Sequence, residues 1–243
     1  MSIKFLEKIP KNVKTLGIVS FFNDASTDMI YPLIPLFLTK YLGASLPMVG
    51  LIEGLAESTS SLMKVFSGFI SDKLHRRKPL TVLGYSMSMI AKPFLAFATA
   101  PWHVLVVRFL DRLGKGVRQA PRAALIAEST APAHLGLAYG FHKMMDTLGA
   151  FAGPLLAVLL LPILNENLRS LFLLSFVSSA LAVTTLVLFV KEKPDVKQHG
   201  PMPKLSISLL PRKYRWFLLS LAIFTIGNSS DAFLFLRAQN LGI

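Results

Sequence analysis

Between two apolar runs the chain reads Arg-Phe-Leu-Asp-Arg-Leu-Gly-Lys-Gly-Val-Arg-Gln-Ala-Pro-Arg, from Arg108 to Arg122. Arg108, Asp111, Arg112, Lys115, Arg118 and Arg122 thus stand in strongly hydrophobic surroundings, so the run is either a solvated loop or a helix that crosses a bilayer. A charged residue at the bilayer centre costs roughly 2.5–3.5 kcal/mol on the insertion scale, which taken alone favours the loop. The rest of the chain decides otherwise.

Of the 243 residues 53% are hydrophobic, and that excludes Gly. Soluble domains average roughly 45–50% with Gly included, so the composition points to several membrane spans. The net charge of +13 would suggest nucleic acid only if the basic residues shared one soluble face. They sit instead in short runs between apolar segments, the pattern of positive-inside topology. No Cys is present, which excludes disulfides and thiolate metal sites.

Hydropathy and length predict spans at about 16–39, 48–70, 80–100, 102–126, 135–164 and 171–190. Residues 1–15 read as a basic amphipathic segment on an anionic membrane face, and 191–215 as a Pro- and Lys-rich linker. A seventh span follows over 216–236, and the chain stops at Ile243. The basic segments 1–15, 71–79 and 191–215 hold four, four and seven Lys or Arg, whereas the other side holds Lys40, Arg169 and Arg237. For 71–79 and 191–215 to share the cytoplasmic side, an even number of spans must separate them. The stretch beginning at Trp102 therefore has to cross. From there to Arg122 a helix reaches about 31 Å, with Arg118 and Arg122 able to snorkel. This topology places the N-terminus in the cytoplasm of a multi-pass cell-membrane protein.

Buried charges in a membrane protein face the bundle interior or a wet cavity. Asp24 and Asp28 stand four apart on the first span, Glu53 and Glu57 four apart on the second. On the fourth, Arg108, Asp111, Arg112 and Lys115 form one helical face. The fifth carries His142, Lys143 and Asp146, whereas the third and sixth hold Lys92 and nothing else. Spans one, two, four and five are thus expected to form a polar interior, with three and six as lipid-facing supports. The same sequence of roles repeats after three spans, a mark of secondary transporters with a midplane site.

The turn Gly68-Phe-Ile-Ser-Asp72-Lys-Leu-His75-Arg76-Arg77-Lys78-Pro-Leu80 resembles the Gly-x-Leu-Ala-Asp-Arg-x-Gly-Arg-Lys signature of the major facilitator superfamily. Arg108 followed by Gly114 and Gly116 is similar to its fourth-span Arg-x-x-x-Gly-x-Gly pattern. Gly149-x-x-x-Gly153-Pro154 looks like its antiporter motif. His75 departs from the family's Gly, and Ala157 and Val158 depart from the small residues that end the antiporter motif. The resemblance implies an all-α polytopic membrane bundle: the amino-terminal six-helix half of such a transporter plus one extra helix. Asn228-Ser-Ser-Asp231 resembles Ala25-Ser-Thr-Asp28, as if a second half began there and were incomplete.

The expected function is secondary transport of a small solute, proton-coupled, with export or antiport slightly favoured, by the N-terminal part of a transporter. The alternative is a non-transporting or dimerising half-transporter or assembly protein. Candidate pathway residues are Asp24, Asp28, Arg108, Asp111, Arg112, Lys115, Lys143 and Asp146. Gly68, Asp72, Arg76 and Arg77 would latch the cytoplasmic turn, and Gly149, Gly153 and Pro154 would pack helices. Expected partners are the bilayer, a small-molecule substrate, protons, and a missing C-terminal half or a second copy, with no nucleic acid. No metal or other cofactor is expected. An enzyme would need a nucleophile, base and oxyanion arrangement or a metal cluster, and none is legible.

Overall fold

A computed structural model describes residues 7–74, 76–192, 211–226 and 231–241. His75, 1–6 of the basic segment, linker residues 193–210 and 228–230 of the repeat-like tetrapeptide lie outside them. Every regular element among the described residues is helical. The chain divides into two units, 1–192 and 193–243.

In the first unit α1 spans Lys11–Ile30. Pro32 and Pro35 lack the N–H groups that would continue it, so the chain steps through a 3-10 turn Tyr31–Leu33, one α turn Ile34–Leu36 and a π turn Phe37–Tyr41. Gly43, at φ 63°, ends this staircase in the left-handed conformation that follows many helices. α2 runs over Leu46–Leu74, and α3 over Arg77–Phe94 with a 3-10 turn Leu95–Phe97 after Pro93.

The contested run lies inside one helix, α4, Pro101–Glu128. Pro101 supplies a pre-set φ at the first helical position. The His103 ring accepts from the Ala100 backbone N–H at 3.1 Å, a role that Glu or Gln fills in the usual capping box. α5 is Leu135–Ile163 and α6 is Leu168–Phe189. The Asn167 side chain caps α6, accepting from Arg169 and Ser170 N–H at 3.0 and 3.3 Å. The second unit holds α7, Arg212–Ile226, and α8, Asp231–Asn240, where a single span over 216–236 is expected.

Glycines set how closely the helices approach. A Cβ at Gly149 would stand 2.5 Å from the Phe21 carbonyl, and one at Gly153 2.6 Å from that of Ala25, so α5 lies against α1 backbone to backbone. A Cβ at Gly84 would meet the Gly114 carbonyl at 2.6 Å and one at Gly114 the Gly84 carbonyl at 2.5 Å, which locks α3 to α4. Gly116 does the same for α2, its added Cβ falling 2.8 Å from the Ser60 carbonyl. At Gly68 the added Cβ would lie an ordinary 3.5 Å from Ala120, so close contact does not require glycine there.

Two expectations are revised. Of the basic segment, Lys11–Thr15 already belongs to α1, and Ile9 and Val13 are buried in the core with Leu16 rather than laid on a membrane face. Their spacing of four and three puts them on the side of α1 that meets Leu125, Ala138 and Leu186. Nor are α3 and α6 mere lipid-facing supports. Tyr85 and Lys92 of α3 and Phe172, Ser175 and Ser179 of α6 are all buried. Within the first unit α5 is instead the most open of the long helices, with Phe151, Val158 and Ile163 about 70% exposed.

The unit is apolar outside and charged inside, the inverse of a water-soluble bundle. Arg108 and Lys92 are each 2% exposed, while Leu62, Val65 and Phe66 of α2 stand out. Among the described residues three elements, Arg77–Phe97, Pro132–Ile163 and Leu168–Phe189, are long and apolar enough by composition to cross a membrane. α1, α2 and α4 also have the length but carry more charges, of which Glu53, Arg108, Asp111, Arg112 and Arg118 are buried.

Candidate functional site

Helix α4 supplies the axis of the site. Its residues 108, 111 and 112 fall on one face by spacing and are all buried, while Lys115, a turn further, is half-buried. Arg108 does not pair chiefly with its own helix. It reaches α2 and binds Glu53 through both prongs, Nε to Oε1 at 3.1 Å and Nη2 to Oε2 at 2.6 Å. This bidentate geometry is the strongest a carboxylate offers. The Asp111 carboxylate lies 3.8 Å from Arg108 Nη1, a secondary contact. Arg112 turns to Glu57 of α2 at 3.7 Å rather than to Asp111. Both guanidinium groups lie over the Tyr31 ring, at 5.1 and 5.5 Å from its centroid, so the end of α1 is tied to the same pair.

Lys64 of α2 is half-buried and within 4.0 Å of no described carboxylate.

One turn towards the C-terminal end of α4, Arg118 donates to Ser88 Oγ at 2.6 Å and covers the Tyr85 ring at 4.5 Å. Arg122 donates to Ser20 Oγ and to the Tyr85 hydroxyl, both at 2.9 Å. Ser20 in turn donates to Asp146 of α5, whose carboxylate is 4.0 Å from Arg122 and 3.6 Å from His142 Nδ1. His142 Nε2 is buried without a hydrogen-bond partner.

The remaining candidates divide. Asp24, which accepts from Asn23 at 2.9 Å, and Asp28 are half-buried on α1, and no described Lys or Arg nitrogen comes within 4.0 Å of either. Lys143 is exposed on α5, away from the buried pairs. In the turn motif Arg77, not Arg76, is the hub: it meets Asp72 at 2.6 Å, Glu128 at 2.7 Å and Ser71 Oγ at 2.9 Å. Arg76 is exposed, in extended backbone just before α3. Gly149 and Gly153 pack against α1 while Pro154 is exposed.

Sequence reasoning passes over Lys92, whose ammonium donates to Ser26 Oγ of α1 at 2.8 Å and Ser179 Oγ of α6 at 2.9 Å. The signal was present: a lysine deep inside an apolar run cannot snorkel to either interface. Beside it lies a small pocket lined by Thr27, Ile30 and Ile34 on one side and Lys92, Arg108 and Asp111 on the other. Among the described residues no group of three or more His, Asp or Glu is placed to hold a metal ion.

The family model of the Major Facilitator Superfamily matches residues 16–243. An uncharacterized MFS-type transporter of Methanocaldococcus jannaschii is 38% identical over 232 residues, which cover 96% of this chain and 58% of that protein. A multidrug resistance protein, MdtH, of Photorhabdus laumondii is 31% identical over 133 residues, 55% of this chain and 33% of that one. A POT family transporter solved with 5-aminolevulinic acid superposes with a TM-score of 0.69 at 17% identity, covering 96% of this chain and 47% of the other. At that identity the likeness is one of fold. The chain spans between a third and three fifths of the length of these relatives.

Proposed function

The chain belongs to the Major Facilitator Superfamily, and on that premise we propose that it is the part of a secondary active transporter that carries the charged half of the transport pathway. The family is one of transporters, which sets aside a membrane enzyme, and its members are multi-pass membrane proteins. The proposed activity is proton-coupled movement of a small solute, with export or antiport favoured by the similarity to a multidrug resistance protein. The N-terminus is proposed to be cytoplasmic, with the basic turn 71–79 on the same side. The remaining length of the relatives would supply a second half that rocks against this one.

A single observation carries the reading. The bidentate Arg108–Glu53 pair, 2% and 6% exposed, sits inside a helical bundle whose outer surface is apolar. Ions so placed are costly to bury and are kept where they line a pathway or switch partners. Glu53 and Asp111 compete for one guanidinium, so protonation of either releases Arg108 to the other. Asp24 and Asp28 on α1 and Asp146 on α5 would extend the proton route, with Arg112 and Lys115 setting their electrostatic surroundings. Lys143 would enter only if the second half covered it.

The test completes the chain with the matching remainder of the archaeal relative and reconstitutes it in vesicles holding a pH-sensitive dye. Addition of solutes from a panel of anionic, neutral and cationic small molecules should drive proton movement in the fused protein and none in the chain alone. Arg108→Ala and Asp111→Ala should each cut the flux at least about tenfold, the effect of roughly 1.4 kcal/mol. Undiminished flux in both variants would refute the assignment of the site.

A further inference from the structure

Three groups converge on one carboxylate oxygen of α5. Asp146 Oδ1 accepts from Ser20 Oγ of α1, with Arg122 Nη1 of α4 at 4.0 Å and His142 Nδ1 of its own helix at 3.6 Å. Arg122 has further acceptors in Ser20 and the Tyr85 hydroxyl, each at 2.9 Å. His142 does not: it is 5% exposed, and its Nε2 is buried without a hydrogen-bond partner among the described residues. What faces one ring nitrogen sets the state of the other. A carboxylate beside Nδ1 favours a proton there, which leaves Nε2 as a bare lone pair, a base oriented by Asp146 with its accepting atom uncommitted. An unpaired buried acceptor is costly, and an apolar side chain would pack at the same place without that cost.

Whether the ring takes a second proton depends on the charges around it. On α5 these are Asp146 and the exposed Lys143, on α1 Asp24, and on α4 Arg122, behind which stands the Tyr85 hydroxyl of α3. α6 brings none, since its one charged residue, Arg169, binds the Ala96 and Ala98 carbonyls at the other end of α3. The two carboxylates attract an imidazolium, and Arg122 and Lys143 oppose it. With Arg122 where it stands, an imidazolium would be a second cation on the same oxygen.

The two sides of this cluster belong to different tightly packed pairs of helices. Ser20, His142 and Asp146 sit on α1 and α5, which approach backbone to backbone at Gly149 and Gly153. Arg122 and Tyr85 sit on α4 and α3, which do so at Gly84 and Gly114. A shift between the pairs withdraws Arg122 from Asp146 and leaves the imidazole as the nearest group able to carry a positive charge. We infer that His142 is a proton-binding residue with Nε2 as the seat of the proton, and that the imidazolium and the Arg122 guanidinium alternate as the cation beside Asp146. The proton adds to the Nε2 lone pair while Nδ1–H stays on Oδ1, so Asp146 faces a cation in both arrangements. The structure described here is the proton-free one. This gives the coupling proton of the transporter proposed above a place and rests on that reading for what the proton drives.

The test follows the ring itself. The full chain, carrying isotope-labelled histidine, is titrated by NMR in detergent, with the His142 signals identified by their loss in His142→Gln. At neutral pH they should show a neutral ring with its proton on Nδ1. In Arg122→Gln the ring should bind a further proton at least about tenfold more tightly than in the unaltered chain, the equivalent of one pKa unit. Lys143→Gln, on the exposed side, should have a smaller effect. In Asp146→Ala the ring proton should redistribute towards Nε2. A proton on Nε2 in the unaltered chain, or a ring that titrates no more readily in Arg122→Gln, would each overturn the inference. Should Arg122→Gln not fold, a ring proton that stays on Nδ1 in Asp146→Ala overturns it. Because this assay needs no transport, the two readings fail separately. The expected titration without flux in the completed protein would refute the transporter and keep the proton site. Proton-coupled flux undiminished in His142→Gln would keep the transporter and refute His142 as its proton carrier.

Discussion

Glu53 and Arg108 are each worth more to the fold as a constraint on the other than as an attraction. Removing one partner of a buried pair leaves a desolvated charge, which costs about 3–5 kcal/mol, whereas replacing both by apolar residues of similar size is often neutral. Glu53→Gln is therefore expected to lower stability sharply in detergent, and the double variant Glu53→Met, Arg108→Met to recover most of the loss. Chemical denaturation of the single and double variants checks this, and a double variant as unstable as the single one would show that the pair is not an isolated unit. The face carrying Arg108, Asp111 and Arg112 is legible from local spacing, because a helix repeats every 3.6 residues. Which carboxylate each arginine takes is not, since that depends on the register of α2 against α4. Asp111 stands three residues from Arg108 on the same helix, the spacing at which helical side chains meet. Its carboxylate is 3.8 Å from Arg108, while Glu53 lies at 2.6 Å on another helix.

At the scale of elements, helix contact is governed by where a Cβ fits. Gly149 and Gly153 face the backbone of α1, which cannot swing aside as a flexible side chain does. Gly149→Ala and Gly153→Ala should each destabilise the α1–α5 pair by about 1–3 kcal/mol, the range for overpacking a tight core. Gly54→Ala and Gly140→Ala provide the contrast, since an added Cβ there meets nothing within 4 Å. These two should stabilise the isolated chain by up to about 1 kcal/mol through helix propensity. Midpoints of unfolding for the four variants should fall in two groups of opposite sign. The sequence motif drew attention to Gly149 and Gly153 but not to Gly84, which has no local signature because its meaning lies in facing Gly114. Pairwise approach of two glycines from different helices is a property of the packed bundle.

Across the whole first unit, one end is laced together. Arg77 joins Asp72 and Glu128, the Glu192 carboxylate accepts from the backbone N–H groups of Arg77 and Lys78, and Asn12 links to Ser129 and to the backbone of Lys191. Asp72 and Glu128 are 59% and 41% exposed at the side chain, so solvent screening limits what these pairs contribute. Arg77→Ala is expected to shift opening of that end by about 1 kcal/mol, roughly fivefold. The absence of cysteine makes the measurement clean: Ser129→Cys alone should label slowly, and about fivefold faster with Arg77→Ala. Unchanged labelling would exclude a latch. The counting of basic turns gave the alternation of helices without any knowledge of packing. Burial of α3 and α6 escaped it, because their near lack of charge reads equally well as lipid contact or as core.

The staircase after α1 has a mechanical meaning. α1 is stitched at its first turn, through Asn12, yet beyond Ile30 its hydrogen-bond ladder changes pitch three times within Tyr31–Tyr41. A rod clamped at one end and interrupted near the other flexes at the interruption. Tyr31 is the first residue past that joint, and its ring lies under the guanidinium groups of Arg108 and Arg112. Any tilt of the far end of α1 therefore slides an aromatic surface beneath two buried cations, converting a bend of the backbone into a change in the balance of charge.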